Sequence, residues 1–488
     1  MAAWAGRRAQ GRLLRSVPVC GIAGVVSLGE SPLAVTPELL ARMRDTMEHR
    51  GPDGADLWFA DNRRIGLAFR RLAIVDLSPE AMQPMPSEDG SLRLVFNGEI
   101  YNHAELRREL TATGRHRWRT DHSDSEVILH GYEEWGIGVL DRLRGMFGFA
   151  LWDGRRQELL LARDRMGIKP LYWSIHHGRL AFASEIKALL ADPEQPRAVD
   201  EEALYHYLSF LTVPAPSTLF AGISKLEAGT LLRLGRDGTP RVERWYDVWR
   251  NVTPLPAMSE AEVAERLLAT LRESVRVHKV SDVPVGVFLS GGIDSSTNAA
   301  LFSEGGGEPV RTFSIGYDAD YSTYRSELPF ARVAAAHVGA EHHERLLSLD
   351  DLMEFLPRMV RLQDEPIADP VCVPVYYRQL QQWDDLPVPR PVKSLGVAAA
   401  RALGKGHRRE VEYLRRGASG QPVFWSGAEA FVEAEKQALL APRLRRELAG
   451  LTSWAAADAS RQDGDGNQPG GTRPLPRPLH GGAGAVDP

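Results

Sequence analysis

Residues 283–304 read VPVGVFLSGGIDSSTNAALFSE, and no other stretch restricts the fold as much. An apolar run passes directly into a Gly-rich turn and then into a helical pattern, which opens an α/β unit. VRTFSIGY is the next expected strand and ELPFARVAAAHVG the next helix. The chain before this unit has a different rhythm. CGIAGVVSL, RRIGLAFRRLAIVDL, SLRLVFNGEIY, MFGFALWDG and QELLLARDR are expected strands. HAELRRELTATG and DSEVILHGYEEWG are helices, as is TPELLARMRDTMEHR, with Thr36 as N-cap, Pro37 in the first helical position and Glu38 in the first turn. Gly51 and Pro52 of HRGPDG stop that helix. Strands and helices mix here without strict alternation, so this half is expected to be layered α+β rather than doubly wound. A Pro-marked connection, TVPAPSTLFAGISKLEAGT, and a long amphipathic helix near 260–279 place the boundary between 205 and 260.

At 488 residues the chain has room for about two to four domains. A net charge of −5 gives no global pull toward nucleic acid or an anionic membrane. Two cysteines, Cys20 and Cys372, cannot build a disulfide framework and point to a reducing, cytoplasmic setting. No apolar run reaches the roughly 18 residues of a membrane span. Residues 1–19 carry Arg7, Arg8, Arg12 and Arg15 without an acidic residue or an apolar core, and are read as a leader or a mis-assigned start. Residues 461–488, with seven Gly and five Pro, are read as a disordered tail.

Chemistry in the first half centres on Cys20. It opens a strand beside Gly21, so little bulk shields it. Alone it reads as an inert buried cysteine. Asn97 and Gly98 stand at a strand end, where an amide and a backbone N–H could face one oxyanion, although alone they read as a turn. Together with HRGPDG, RRLAIVDL, TDHSDSE and RDRMGIKPLYW, in that order, they resemble the glutaminase domain of class II glutamine amidotransferases over residues 20–190. The resemblance implies an N-terminal-nucleophile αββα sandwich in which Cys20 attacks the glutamine amide and its own α-amine takes the thiol proton. Asn97 and Gly98 would hold the oxyanion, and Arg71 the substrate carboxylate. Leu72, Ala73, Ile74 and Val75 would line the glutamine site, with Glu99 and Asp124 at its ammonium end. Val19 precedes Cys20, so processing or a start at position 19 is expected to free the amine.

FLSGGIDSS lacks the spacing and lysine of a Walker A loop. It resembles the PP-loop of ATP pyrophosphatases. That implies ATP contacts from Leu289, Ser290, Gly291, Gly292, Asp294, Ser295, Ser296 and Ile315, with Asp294 holding Mg2+. A class II glutaminase joined to a PP-loop domain, with SDVPVGVFLSGGIDSS and FASEIKALL, resembles the glutamine-hydrolysing asparagine synthetases over about residues 20–380. The implied reaction takes glutamine, aspartate and ATP through β-aspartyl-AMP to asparagine, with ammonia carried inside the protein. It implies no nucleic-acid or membrane partner and leaves a homodimer open. Two alternatives stand beside it: amidation of another carboxylate, such as a sugar or peptide acid, and a relative surviving as a glutaminase or binding protein.

The expected division is 1–19 leader, 20–205 glutaminase, 206–259 connection, 260–382 synthetase, 383–460 remnant and 461–488 tail. The synthetase part is expected to be incomplete at its C-terminal side. PVCVPVYYRQLQQ runs into WDDLPVPRPVKSLG without the GEGADE-type acidic loop that the family carries next. DEPIADP, residues 364–370, is expected near the acceptor pocket. His342 and His343, adjacent on a strand, are poor co-ligands for a metal. Cys372 reads as a core residue.

Overall fold

The computed structural model describes residues 19–29, 35–305, 309–319, 326–367 and 373. Strands are numbered in chain order. One antiparallel sheet runs β10 (Ile223–Lys225), β8 (Tyr172–His176), β9 (Arg179–Ala183), β1 (Gly21–Ser27), β3 (Ile65–Arg71), β2 (Gly54–Phe59). A second runs β12 (Pro240–Arg244), β11 (Thr230–Leu234), β7 (Glu158–Arg163), β6 (Gly145–Asp153), β5 (Leu92–Ile100), β4 (Met85–Pro86).

The two-residue period of β1 assigns its side chains to two cores. Ile22 and Val26 join Leu67, Phe69 and Phe182 against Val95, Trp152, Leu161 and Leu232 of the other sheet. Ala23 and Val25 turn outward beneath Leu40, Met43 and Ile186 of the helices Pro37–Asp45 and Ile186–Leu190. Both faces are therefore covered, and every residue of β1 is buried. The outer face of the second sheet packs Leu94, Phe96 and Phe149 against Leu106, Leu110 and Ile128 of helices His103–Ala112 and Glu126–Trp135. The order helix, sheet, sheet, helix is the αββα sandwich expected for this half. The first helix starts as its sequence predicts, with Thr36 Oγ1 accepting from the Leu39 N–H at 3.2 Å.

One boundary needs correction. Residues 206–259 were expected to connect the halves, yet β10 pairs with β8 and β11 with β7, so the first sheet runs on to Lys225 and the second to Arg244. Leu231 and Leu232 enter cores on opposite faces of the second sheet. The Pro-rich approach hid strands of three and five residues whose partners lie about 50–70 positions earlier.

The second half begins with the helix Glu260–His278, closed at its start by a Ser259–Glu262 capping box. A parallel sheet follows in the order β13 (Gly286–Phe288), β14 (Arg311–Tyr317), β15 (Glu341–Leu347). Helices Ile293–Ser303 and Leu328–Val338 bury Ala299, Ala331 and Ala335 against Leu289. Helix Leu349–Leu362 packs Phe355 against Ile315 and Leu347. On β15, His342 Nδ1 lies 2.8 Å from Thr312 Oγ1, while His343 stacks on Phe313. Among the described residues no helix is long and apolar enough to cross a membrane. The leader before Val19, Cys372, and the expected remnant and tail lie outside the described residues.

Candidate active site

The register of β1 against β3 pairs Gly21 with Arg70, which brings Cys20 to the end of β3. There the Leu72 N–H donates to Cys20 Sγ at 3.4 Å, and Sγ lies 3.5 Å from the Leu72 carbonyl oxygen. Asn97 and Gly98 come from the opposing sheet. They sit inside β5, paired with Gly148 and Phe147, rather than at a strand end or in a turn. A Cβ on Gly98 would stand 2.2 Å from the Met146 carbonyl oxygen, so only glycine lets β5 and β6 approach here.

Asn97 is fully buried. With its amide turned to satisfy both ends, the NH2 donates to the Cys20 carbonyl oxygen at 3.0 Å and the oxygen accepts from Arg50 Nη2 at 3.3 Å. Arg50 also donates from Nε to the Cys20 carbonyl oxygen at 3.0 Å and from Nη1 to Glu185 at 2.9 Å. His49 and Lys187 complete the shell of Glu185, at 3.0 and 2.6 Å.

These groups surround a pocket whose wall includes Cys20, Arg71, Leu72, Ile74, Val75, Asn97, Gly98, Glu99, Asp124 and Lys169. Ala73 is not in the wall; its N–H donates to Asp53 at 3.1 Å. The Arg71 guanidinium is held from one side by the carbonyls of Ser78, at 2.7 Å, and Asp76. Asp76 has φ 54°, a left-handed conformation that costs a non-glycine residue about 1–2 kcal/mol. Asp124 accepts the Ile100 N–H at 3.0 Å. Burial pushes its carboxyl up to about 7, and the charge of Glu99 acts in the same direction. Glu99 is also raised by burial, against the opposing charge of Lys169. Burial thus makes both acids costly to ionise, and a nearby positive charge offsets that cost. Burial pushes the Cys20 thiol up to about 11, although the Leu72 N–H pulls the other way. At neutral pH the sulfur is a thiol and needs a base to become a nucleophile.

The motif strings contained Arg50, Glu185 and Lys169, but the sequence assigned them no part. A guanidinium acts here through partners 30 and 135 positions away, which local pattern does not reveal.

The Gly-rich loop follows β13. Gly291 has φ 87°, and a Cβ there would meet Ala331 N at 2.5 Å. The loop is folded on its own hydroxyls: Ser290 Oγ lies 2.8 Å from Ser295 Oγ, the Ser290 N–H donates to Ser295 Oγ at 3.2 Å, and the Gly292 N–H donates to Ser290 Oγ at 3.3 Å. Ser296 and exposed Asp294 stand in the first turn of the following helix. A hard divalent cation carried by a triphosphate suits that exposed carboxylate. Leu289 and Ile315, expected at the adenosine, have their side chains in two hydrophobic cores, so contact with a nucleotide would run through their backbone. Asp364 and Glu365 of DEPIADP turn to the sandwich rather than to an acceptor pocket. Asp364 accepts the Ile186 N–H at 2.5 Å, and Glu365 accepts the Leu219 N–H at 2.7 Å and pairs with Lys225 at 2.9 Å.

Residues 19–246 match the model of the glutamine amidotransferase domain family, and residues 266–379 match that of the asparagine synthase family. The first match ends beside β12, where the sandwich ends. Putative asparagine synthetase [glutamine-hydrolyzing] 2 of Methanocaldococcus jannaschii is 31% identical over 380 residues, covering 73% of this chain and 70% of that protein. The chain belongs to the glutamine-hydrolysing asparagine synthetase family. Family members named asparagine synthetase [glutamine-hydrolyzing] 1 in Bacillus subtilis and putative asparagine synthetase [glutamine-hydrolyzing] in Mycobacterium tuberculosis are each 39% identical, over 74% and 69% of this chain. The chain spans about half the length of these two relatives, 55% and 53%.

Proposed function

We propose that the pocket at Cys20 hydrolyses glutamine and that the ammonia amidates aspartate in an ATP-dependent reaction in the second half of the chain. One observation carries the reading. A cysteine, a guanidinium, a buried amide and two burial-raised carboxyls from four separate segments converge on one pocket. The glutamine carboxylate would pair with Arg71 and its ammonium with Glu99 and Asp124, leaving the side-chain amide at Cys20.

The free α-amine of a chain beginning at Cys20, with a pKa near 8, takes the thiol proton. The thiolate attacks the amide carbon, and the negative oxygen that forms is held by Asn97 and the Gly98 N–H. The protonated amine returns its proton to the leaving nitrogen, which departs as ammonia. Water then cleaves the thioester to glutamate. At the other site the aspartate β-carboxylate displaces pyrophosphate from ATP, and ammonia displaces AMP from the β-aspartyl-AMP. Backbone N–H groups and the serines of 290–296 would cradle the phosphates. Asp294 would hold a Mg2+ that neutralises their charge. The setting is cytoplasmic. The test is glutamate release from glutamine by the chain beginning at Cys20, with Cys20→Ala as control. Glutamine turnover by the Cys20→Ala protein would overturn the assignment.

A further inference from the structure

The second half of the chain reaches the wall of the glutamine pocket through Asp282, in the short segment before β13. Its N–H donates to the Ile74 carbonyl oxygen at 2.9 Å. Its carboxylate oxygen Oδ2 accepts the Asp76 N–H at 2.7 Å and lies 2.7 Å from His122 Nε2. One carboxylate therefore grips two segments of the first half that are distant in sequence. The first segment contains Ile74 and the left-handed Asp76, whose carbonyl holds the Arg71 guanidinium. The second continues from His122 directly into Ser123 and Asp124 of the pocket wall.

We propose that Asp282 is a positioning residue for glutamine binding, which sets the Arg71 loop and the Asp124 segment from outside the sandwich. The inference rests on reading the Cys20 pocket as a glutamine site. Asp76 is buried, so an N–H without its acceptor there costs free energy, and a left-handed backbone relaxes once its contacts go. Both carbonyls that orient Arg71, those of Asp76 and Ser78, belong to the loop that Asp282 holds. Cys20 is held from outside that loop by Arg50, and by Leu72 directly after the end of β3, away from the residues Asp282 touches. Loss of Asp282 therefore weakens the clamp on substrate and leaves the nucleophile in place.

The same contact ties the two sites together. Ser281 Oγ donates to the Val283 carbonyl oxygen at 2.9 Å and accepts the Val283 N–H at 3.1 Å, so the turn carrying Asp282 is braced where it enters β13. β13 leads directly to Ser290 and the phosphate loop.

The test uses the full chain processed to begin at Cys20. Asp282→Ala is expected to raise the glutamine KM about tenfold with a much smaller change in kcat. Asp282→Asn, whose amide oxygen still accepts the Asp76 N–H, is expected to recover most of that loss. Amide hydrogen exchange at residues 72–78 is expected to speed up in Asp282→Ala. An unchanged KM in an otherwise active enzyme, or a loss confined to kcat, overturns the proposal. If the wild-type chain does not hydrolyse glutamine, the reading of the pocket fails, and hydrogen exchange alone then decides the latch. Faster exchange at 72–78 supports it and unchanged exchange overturns it.

Discussion

Arg50 and Glu185 form a buried ion pair, Nη1 to Oε1 at 2.9 Å, directly behind the Cys20 carbonyl. Through it, Glu185 fixes a guanidinium that touches both Cys20 and Asn97. Glu185 continues through Lys187, at 2.6 Å, to Asp364 in the second half, 2.9 Å beyond. Burial works to raise the Glu185 carboxyl, but the His49 hydrogen bond and the charges of Arg50 and Lys187 hold it well below the usual carboxylate range.

Glu185→Gln strips the compensating charge from buried Arg50. Breaking one side of such a pair costs about 3–5 kcal/mol. The melting temperature should fall, and glutamine turnover should fall with it as Asn97 loses its orienting partner. The pH dependence has a definite sign. A depressed carboxylate stabilises the fold above its ordinary value of 4.5, and that contribution disappears as pH falls through the lower folded value. Wild type should therefore lose stability on acidification below about pH 4.5 more steeply than the variant, as followed by thermal melts.

Glutamine hydrolysis should depend on a free Cys20 amine. Full-length chain carrying Val19 and chain beginning at Cys20 are compared in the same assay. A large difference in kcat is expected, because the thiol is raised to about 11 and has no other base assigned to it. Equal rates would dismiss the amine mechanism.

Asp124→Asn separates binding from stability. The folded carboxyl titrates near 7 against an ordinary 3.8, so the group stabilises the fold most below 3.8 and loses that contribution as pH rises through 7. The amide carries no such penalty. The variant should gain stability over wild type at pH 8 relative to pH 5, while its glutamine KM rises. In wild type the KM should climb as pH falls below about 7, where the acid that meets the ammonium is protonated. Melts and KM measured over the same pH series check both signs.

Pyrophosphate release from ATP and aspartate should be detectable but slow. We propose that residues 383–460 hold no counterpart of the family's GEGADE-type acidic loop, which would reduce the charge stabilisation of this step. A rate of about 1 per second or more would mean that another carboxylate has taken over. Absence of release with intact glutamine hydrolysis would favour a glutaminase alone.

The sequence made the sandwich legible wherever a strand or helix carries its own period and cap, as in β1, β5 and the helix opened by Thr36. Cys20, Arg71, Asn97 and Asp124 were legible because family motifs surround each of them. The structure brings all four to one pocket. Arg50, Glu185 and Asp282 were not legible as a group, since each acts through partners as far as 30 to 208 positions away. Strands β10–β12 escaped for a related reason. A strand of three residues has almost no pattern of its own, and the open edge of a neighbouring strand decides that it pairs. Leu289 and Ile315 are a different case, in which only the backbone is left for the expected contact. Position in a motif suggested contact with a nucleotide, while their apolar side chains went where apolar side chains ordinarily go.

The central place of β1 in its sheet also has a consequence for synthesis. Its first strand is made early, but one flank is β9, with Ala23 paired to Ala183, and Ile22 N–H is capped by Ser184 Oγ across 162 positions. At the speed of a ribosome, that partner emerges about ten to thirty seconds later. Until then an apolar strand with half its hydrogen bonds unmade leaves the exit tunnel among other nascent chains. The last strand of the first sheet follows at Lys225 and that of the second at Arg244. A chain that stopped before β9 would leave one edge of β1 without its strand partner, an open template for pairing with another chain.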